Sequence, residues 1–231
     1  MSPILGARAS RPQQEWRTRG YLPHFEGGEM PQSITLRLHD SLPPTVLEQW
    51  REALERLPEN QRHTERRKHI DAALDAGHGK CWLRNPQIAQ MVEDALLFFD
   101  GQRYQLHEWE VMPNHVHVLA TPLQGYRLSS ILHAWKSFTA KKANTWLNSQ
   151  DAFWLDEYFD RAIRDAAHFN KASESITHNS VKAGLCQEPA EWLWSSAYRG
   201  DEKWAGRPRS QEEASQSLRA GRPRSQEEAS Q

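Results

Sequence analysis

The sequence has few of the features that mark secreted, membrane-spanning or broadly nucleic-acid-binding proteins. Its two cysteines, Cys81 and Cys186, fit neither a metal motif nor a disulfide framework. No apolar run approaches the ~20 residues of a membrane helix, and no N-terminal apolar stretch indicates a signal peptide. The formal net charge of -1 excludes nucleic-acid binding through bulk positive charge. We therefore expect a reduced, cytoplasmic protein whose basic surfaces are local.

The most informative stretch is Val-Met-Pro-Asn-His-Val-His-Val-Leu-Ala-Thr at 111–121, which contains a His-x-His pair. Its alternation predicts a β-strand, in which His115 and His117 point to the same side. Two such imidazoles can chelate one divalent ion, and a strand with two half-exposed histidines and no ligand is an equally good interpretation. Pro113 and Asn114 favour the ion slightly, because prolines at strand starts and bulges often accompany functional sites.

The remaining pattern alternates strands and helices. We predict strands at 33–39, 103–111 and 114–121, and helices from about Thr45 to Leu57, over 86–99 and over 128–148. The strands 103–111 and 114–121 form either an antiparallel pair or one bent strand. The charged segment 59–70 is either a solvated helix or an insertion.

Two further segments carry candidate functional side chains. The helix predicted over 128–148 has a locally basic side with Lys136, Lys141 and Lys142, which are either ordinary solvated lysines or phosphate contacts. A second helix is predicted from about Asp156 to Ile176. On it, Tyr158 and Arg161 would share one face with Asp165.

The two ends of the chain have the composition of disordered segments. Residues 1–19 are polar and basic, which predicts a flexible arm. Residues 205–216 recur unchanged at 220–231, and a duplicated Gly/Pro/Ser/Glu-rich dodecamer cannot form a core. We therefore predict a folded domain over 20–200 and a disordered tail over 201–231.

The two central motifs together resemble those of a known family. Met112-Pro-Asn-His-Val-His resembles the His-hydrophobe-His motif of the single-tyrosine HUH transposases, and Tyr158-Phe-Asp-Arg resembles their tyrosine motif. The closest branch is the REP-associated tyrosine transposases. The similarity covers about residues 19–198 and includes Trp135-Lys-Ser-Phe-Thr-Ala-Lys-Lys-Ala-Asn and Val181-Lys-Ala-Gly-Leu.

The resemblance implies a fold and a reaction. The fold is α+β: a ferredoxin-like, RRM-like antiparallel sheet flanked by helices, with extra C-terminal helices and with the tyrosine on a helix beside the sheet. The implied partner is single-stranded hairpin DNA of the REP type, in the cytoplasm of a bacterium. The protein resembles monomers, with a homodimer as the alternative. His115 and His117 would hold Mg²⁺ or Mn²⁺, and Tyr158 would form a 5′-phosphotyrosine.

The same resemblance assigns the remaining candidate residues. Arg161, Lys136, Lys141 and Lys142 would contact the DNA. Relatives often carry a third metal ligand four residues after the tyrosine, where this chain has Ala162, so Asp160 is the substitute. Relatives also commonly have Asn-Pro where this chain has Asn179-Ser180. The alternatives to a transposase-like enzyme are a catalytically silent hairpin-binding protein and a metal-dependent hydrolytic nuclease.

Overall fold

The computed structural model describes residues 15–19, 22–26, 28–42, 48 and 56–200. Most of the helix predicted from Thr45 lies outside these residues, as do residues 1–14 and the duplicated tail. The chain divides into two units, of which the first ends at Tyr198. None of the described helices is both long and apolar enough to cross a membrane.

The described residues form six strands and five helices. The strands are β1 (Glu15–Arg19), β2 (Leu22–Glu26), β3 (Gln32–Arg37), β4 (Tyr104–Val111), β5 (His115–Pro122) and β6 (Phe159–Ala162). The helices are α1 (Glu59–Asp75), α2 (Pro86–Leu97), α3 (Leu128–Leu147), α4 (Ala166–Thr177) and α5 (Asn179–Lys182). Short 3-10 helices lie at Trp82–Arg84 and Pro189–Glu191.

The main sheet has four antiparallel strands in the order β4-β5-β3-β6. The first and last strands of this set along the chain, β3 and β6, are therefore neighbours, and β3 also pairs with β5. This is the strand order of a ferredoxin-like fold, so the predicted fold class is confirmed. The sequence left two alternatives for β4 and β5, and they form the antiparallel pair.

One face of the sheet is apolar and packs against α2 and α3. Ile34 pairs with Val118, and Val118 pairs with Trp109 on β4, so these side chains lie on the same face. Two indole groups buried in this layer are paired, whereas the buried side-chain amide of Gln32 on the same face has no hydrogen-bond partner among the described residues. The Trp109 indole donates to the Glu93 carboxylate of α2 at 3.0 Å, and the Trp135 indole of α3 donates to the Tyr104 hydroxyl at 3.0 Å.

The opposite face carries the polar residues of the site and is covered by α1, α4 and α5. Phe159 of β6 packs against a cluster from α1 and the segment before it: Leu42, Ile70, Ala73 and Leu74. Leu119 of β5 packs against Ile176 of α4. The end of α1 and the junction of α4 with α5 therefore converge over the middle of this face.

Two of the predicted elements are wrong. The helix predicted over 156–176 is instead a strand, β6, followed by a helix that begins at Ala166, because Asp165 caps it by accepting the His168 N–H at 2.8 Å. The free edge of β3 binds residues 159–162, and this pairing overrides their helical periodicity. The predicted arm 1–19 also ends in a strand, because residues 15–19 pair with β2.

Candidate metal centre

His115 and His117 lie side by side on the polar face of the sheet. The register of β5 places His115 opposite Arg37, and it places His117 between Thr35 on β3 and Glu110 on β4. Residues that are paired across strands share a face, so these five side chains lie on the same face of the sheet. The prediction that both imidazoles point to the same side is confirmed.

The two imidazoles converge through their Nε2 atoms, which are 3.0 Å apart and within hydrogen-bonding distance of each other, with the rings nearly perpendicular at 83°. Two nitrogen ligands that bind one ion at about 2.0–2.1 Å and at right angles are themselves about 3 Å apart. The observed separation therefore matches a pair of neighbouring ligand positions. The match rests on the positions of the two Nε2 atoms in this chain.

The Nδ1 atoms of both rings are held by partners, so the Nε2 atoms, which lie within hydrogen-bonding distance of each other, are the atoms that would bind an ion. The Asn114 amide nitrogen donates to the His78 carbonyl at 2.9 Å, so its oxygen accepts from His115 Nδ1 at 2.8 Å. The Thr35 hydroxyl lies 3.0 Å from His117 Nδ1 and can donate or accept. Outer partners of this kind fix the orientation and tautomer of metal-binding histidines.

The two histidines differ in burial, and burial favours the neutral form of His115. His115 is fully buried, and its pKa is lowered well below the usual 6.5 by desolvation and by the nearby His117 and Arg37. A neutral imidazole is the form that binds metal ions. His117 is partly exposed, so a substrate would approach the site from its side.

Asn179 is a candidate ligand that the sequence analysis missed. It begins α5, is buried, and its amide nitrogen lies 3.4 Å from His115 Nε2 and 3.4 Å from an Asp75 carboxylate oxygen of α1. A rotation of the amide would present its oxygen to the position between the two imidazoles. The available signal was the Asn179-Ser180-Val-Lys-Ala-Gly block, which the sequence analysis used only as a family marker.

Glu110 is a second missed residue. Its side chain is fully buried opposite His117, one carboxylate oxygen accepts the Ser180 N–H at 3.3 Å, and the other has no hydrogen-bond partner. Desolvation raises the pKa of this carboxyl to about 7, with hydrogen bonds from Ser180 and Asn179 opposing the shift. Glu110 thus anchors the start of α5 and with it Asn179.

The proposed nucleophile does not lie where the resemblance implies. Tyr158 directly precedes β6 and is not on a helix, and helices α4 and α5, which cover the histidines, contain no tyrosine. In β6, Phe159 pairs with Thr35 and therefore takes the histidine face, where its ring lies 4.8 Å from the Arg37 guanidinium. The prediction that Tyr158 sits on a helix beside the sheet is wrong.

The residues that follow Tyr158 are split between the two faces of the sheet. Asp160 pairs with Ile34, which lies on the apolar face, so Asp160 points away from His115 and His117. Its expected role as third ligand is therefore contradicted by the register. Arg161 pairs with Ser33 and shares the histidine face. Within the described part of the chain, no three His, Cys, Asp or Glu side chains are grouped so that they could hold an ion.

The three lysines of α3 have different surroundings. The Lys136 ammonium donates to the carbonyl oxygens of Leu155 and Asp156, both at 2.7 Å, and desolvation lowers its pKa. It therefore fixes the segment before Tyr158, which leaves little of its ammonium for DNA. Lys141 and Lys142 are exposed.

Comparisons with known proteins bear on the segment that carries the histidines. Residues 86–179 match the family described as "Transposase IS200 like". A curated REP-associated tyrosine transposase of Escherichia coli K12 is 24% identical over 111 residues, which are 48% of this chain and 65% of that protein. The chain thus covers slightly less than two thirds of this relative.

One solved structure shows a REP-associated tyrosine transposase bound to a REP hairpin. The two sequences are 15% identical. The matched region covers 78% of this chain and 82% of the solved chain, and the TM-score is 0.48. The family match and the curated relative confirm the resemblance that the motifs indicate.

Proposed function

We propose that this chain, whose segment 86–179 matches IS200-like transposases, cleaves and rejoins single-stranded hairpin DNA of the REP type at the His115–His117 site. The observation that carries the proposal is the convergence of the two Nε2 atoms at 3.0 Å, each ring being held through Nδ1. We further propose that the protein is soluble, lies in the cytoplasm of a bacterium and acts as a monomer.

Residues His115, His117 and Asn179 would hold Mg²⁺ or Mn²⁺, and such an ion polarises a phosphate and stabilises charge on its oxygens. Arg161, on the same face of the sheet, would bind a non-bridging phosphate oxygen. Asn114 and Thr35 keep the imidazoles in place, and Glu110 and Asp75 hold the helix junction that brings Asn179 to them.

Tyr158 is the proposed nucleophile. Its Oη would lose its proton to solvent and form a bond to phosphorus while the bond to the 3′ oxygen breaks, and the 3′ oxygen would take a proton from solvent, which gives a 5′-phosphotyrosine and a 3′-hydroxyl. The phosphodiester energy is kept in the covalent bond, so rejoining needs no ATP. Lys136 supports this role because it fixes the carbonyls of Leu155 and Asp156, in the segment that leads to Tyr158.

A second candidate function is hairpin binding without cleavage. It is favoured by the position of Phe159, which takes the histidine face at the point where a nucleophile is needed. It is also favoured by the composition of α4 and α5, which cover the histidines and contain no tyrosine.

The covalent step is tested by replacing Tyr158 with phenylalanine. Wild-type protein is incubated with single-stranded hairpin DNA and Mn²⁺, and a covalent protein–DNA adduct is sought on a denaturing gel. We expect an adduct that Tyr158→Phe abolishes, because the variant lacks the attacking oxygen. Tyr126→Phe is the matched control, since Tyr126 is an exposed tyrosine that precedes α3.

Other outcomes identify the alternatives. Cleavage that persists in Tyr158→Phe and leaves no adduct would indicate a hydrolytic nuclease. An adduct that persists in Tyr158→Phe would assign the nucleophile to another residue. Hairpin binding with no cleavage in the wild-type protein would establish the binding function and contradict the enzyme.

A further inference from the structure

Helix α3 carries a stripe of exposed aromatic and basic side chains. We define the α3 stripe as Phe138, Lys142 and Trp146, which are spaced four residues apart and therefore lie in one row. Phe138 is 52% exposed and Trp146 is 38% exposed. By helical periodicity the stripe borders the side that carries the buried residues of α3, but its three side chains are exposed and are not among those buried residues.

The lysine lies between the two rings. Its Nζ is 5.6 Å from the Phe138 ring centroid and 5.5 Å from the Trp146 ring centroid, within cation–π range of both. The two aromatic residues are about 12 Å apart along the helix axis at 1.5 Å rise per residue. The result is a row of two exposed rings with a positive charge between them.

The charge of α3 points to an anionic partner. Its 20 residues include Lys136, Lys141 and Lys142 but no aspartate or glutamate, although the chain has 30 acidic residues in all. Exposed Lys141 adds a second positive charge beside the stripe.

Exposed rings interleaved with lysines are the combination that binds single-stranded nucleic acid. Unpaired bases stack on the rings without sequence preference, and the lysines contact the phosphates. The paired stem of a hairpin has no free base faces, so only its unpaired nucleotides can use such a surface. The stripe lies on the helix that packs against the apolar face of the sheet, opposite to His115 and His117.

We infer that the α3 stripe is a second DNA-binding surface, on which the unpaired nucleotides next to a hairpin stack against Phe138 and Trp146. The inference rests on the proposed hairpin substrate and assigns it a contact away from the metal centre. Stacking holds the unpaired strand, and Lys142 neutralises a phosphate between the two stacked bases.

The test compares a labelled DNA hairpin that has unpaired thymidine flanks with the same hairpin without flanks. Binding is measured by fluorescence anisotropy in buffer that contains a metal chelator, so that neither DNA cleavage nor a bound metal ion affects the measured affinity. We expect Phe138→Ala and Trp146→Ala each to weaken binding of the flanked hairpin by about tenfold. Binding of the hairpin without flanks should be unchanged, and Lys142→Gln should lower the salt slope by about one.

Phe98→Ala is the matched control, because Phe98 is a 70% exposed aromatic residue outside the stripe. Equal thermal stability of all variants establishes that they are folded. Unchanged affinity of the Phe138→Ala/Trp146→Ala variant for flanked DNA, or equal losses on both DNAs, would overturn the inference while leaving the proposed function intact. So would self-association of the wild type that this variant abolishes. A wild-type protein that binds neither DNA would overturn both.

Discussion

Replacing Gly79 by alanine is expected to lower the free energy of unfolding by about 2–5 kcal/mol, the sum of a left-handed backbone and an overpacked contact. Gly79 has φ +85°, and a Cβ built there would lie 2.5 Å from the Asp40 carbonyl oxygen. The Lys80 N–H also donates to the Asp40 carboxylate at 2.8 Å, so this loop and Asp40 are locked together.

The control for this prediction is Gly125→Ala. Gly125 has the same φ of +85° but no atom within 4 Å of the added Cβ, so it reports the backbone strain alone. We expect it to cost about 1–2 kcal/mol. Urea unfolding of both variants at one pH gives the comparison, and equal losses would show that the close approach to Asp40 is unimportant.

The Gly79→Ala substitution should also weaken ion binding at the candidate metal centre. The loop holds the Asn114 amide through the His78 carbonyl, and Asn114 in turn orients His115. Gly79→Ala should therefore weaken Mn²⁺ binding as well as stability, whereas Gly125→Ala should affect stability alone.

Replacing Glu110 by glutamine is expected to remove a large pH dependence of stability. Burial raises the pKa of Glu110 from 4.5 to about 7. Between these values the unfolded chain releases the proton that the folded chain keeps, so stability falls as pH rises from 4.5 to 7. The shift corresponds to about 3 kcal/mol, fully lost above the folded pKa.

The measurement is the difference in unfolding free energy between Glu110→Gln and the wild type at pH 5 and at pH 8. Glutamine resembles the protonated carboxyl, so the difference should move in favour of the variant by up to about 3 kcal/mol as pH rises. Groups common to both proteins, including the buried His115, cancel in this difference. A difference that does not change with pH would show that Glu110 has an ordinary pKa.

The hydrophobic periodicity of the sequence correctly predicted the strands and helices that have a regular apolar pattern of their own. Strands β3, β4 and β5 alternate because one face of each is apolar, and α2 and α3 carry helical apolar stripes. The segment 156–176 could not be predicted in this way. Residues 159–162 are extended because they bind the edge of β3, a partner more than 120 residues earlier in the chain.

The metal centre was predictable only where its residues are adjacent in sequence. His115 and His117 form a motif on one strand, and their shared face follows from the strand period. Asn179 and Glu110 come from different elements and meet the histidines through tertiary packing. Asp160 was chosen by its distance from Tyr158 in the sequence, but the strand period places it on the opposite face.

The central claim is that His115 and His117 form one divalent-ion site. Isothermal titration of the metal-free protein with Mn²⁺ tests it directly, with circular dichroism as the check on folding. We expect one ion per chain for the wild type and for His133→Ala, whose histidine is exposed on α3. His117→Ala should reduce the affinity at least about tenfold because it removes one of the two nitrogen ligands. A folded His117→Ala protein that binds Mn²⁺ as tightly as the wild type would contradict the claim.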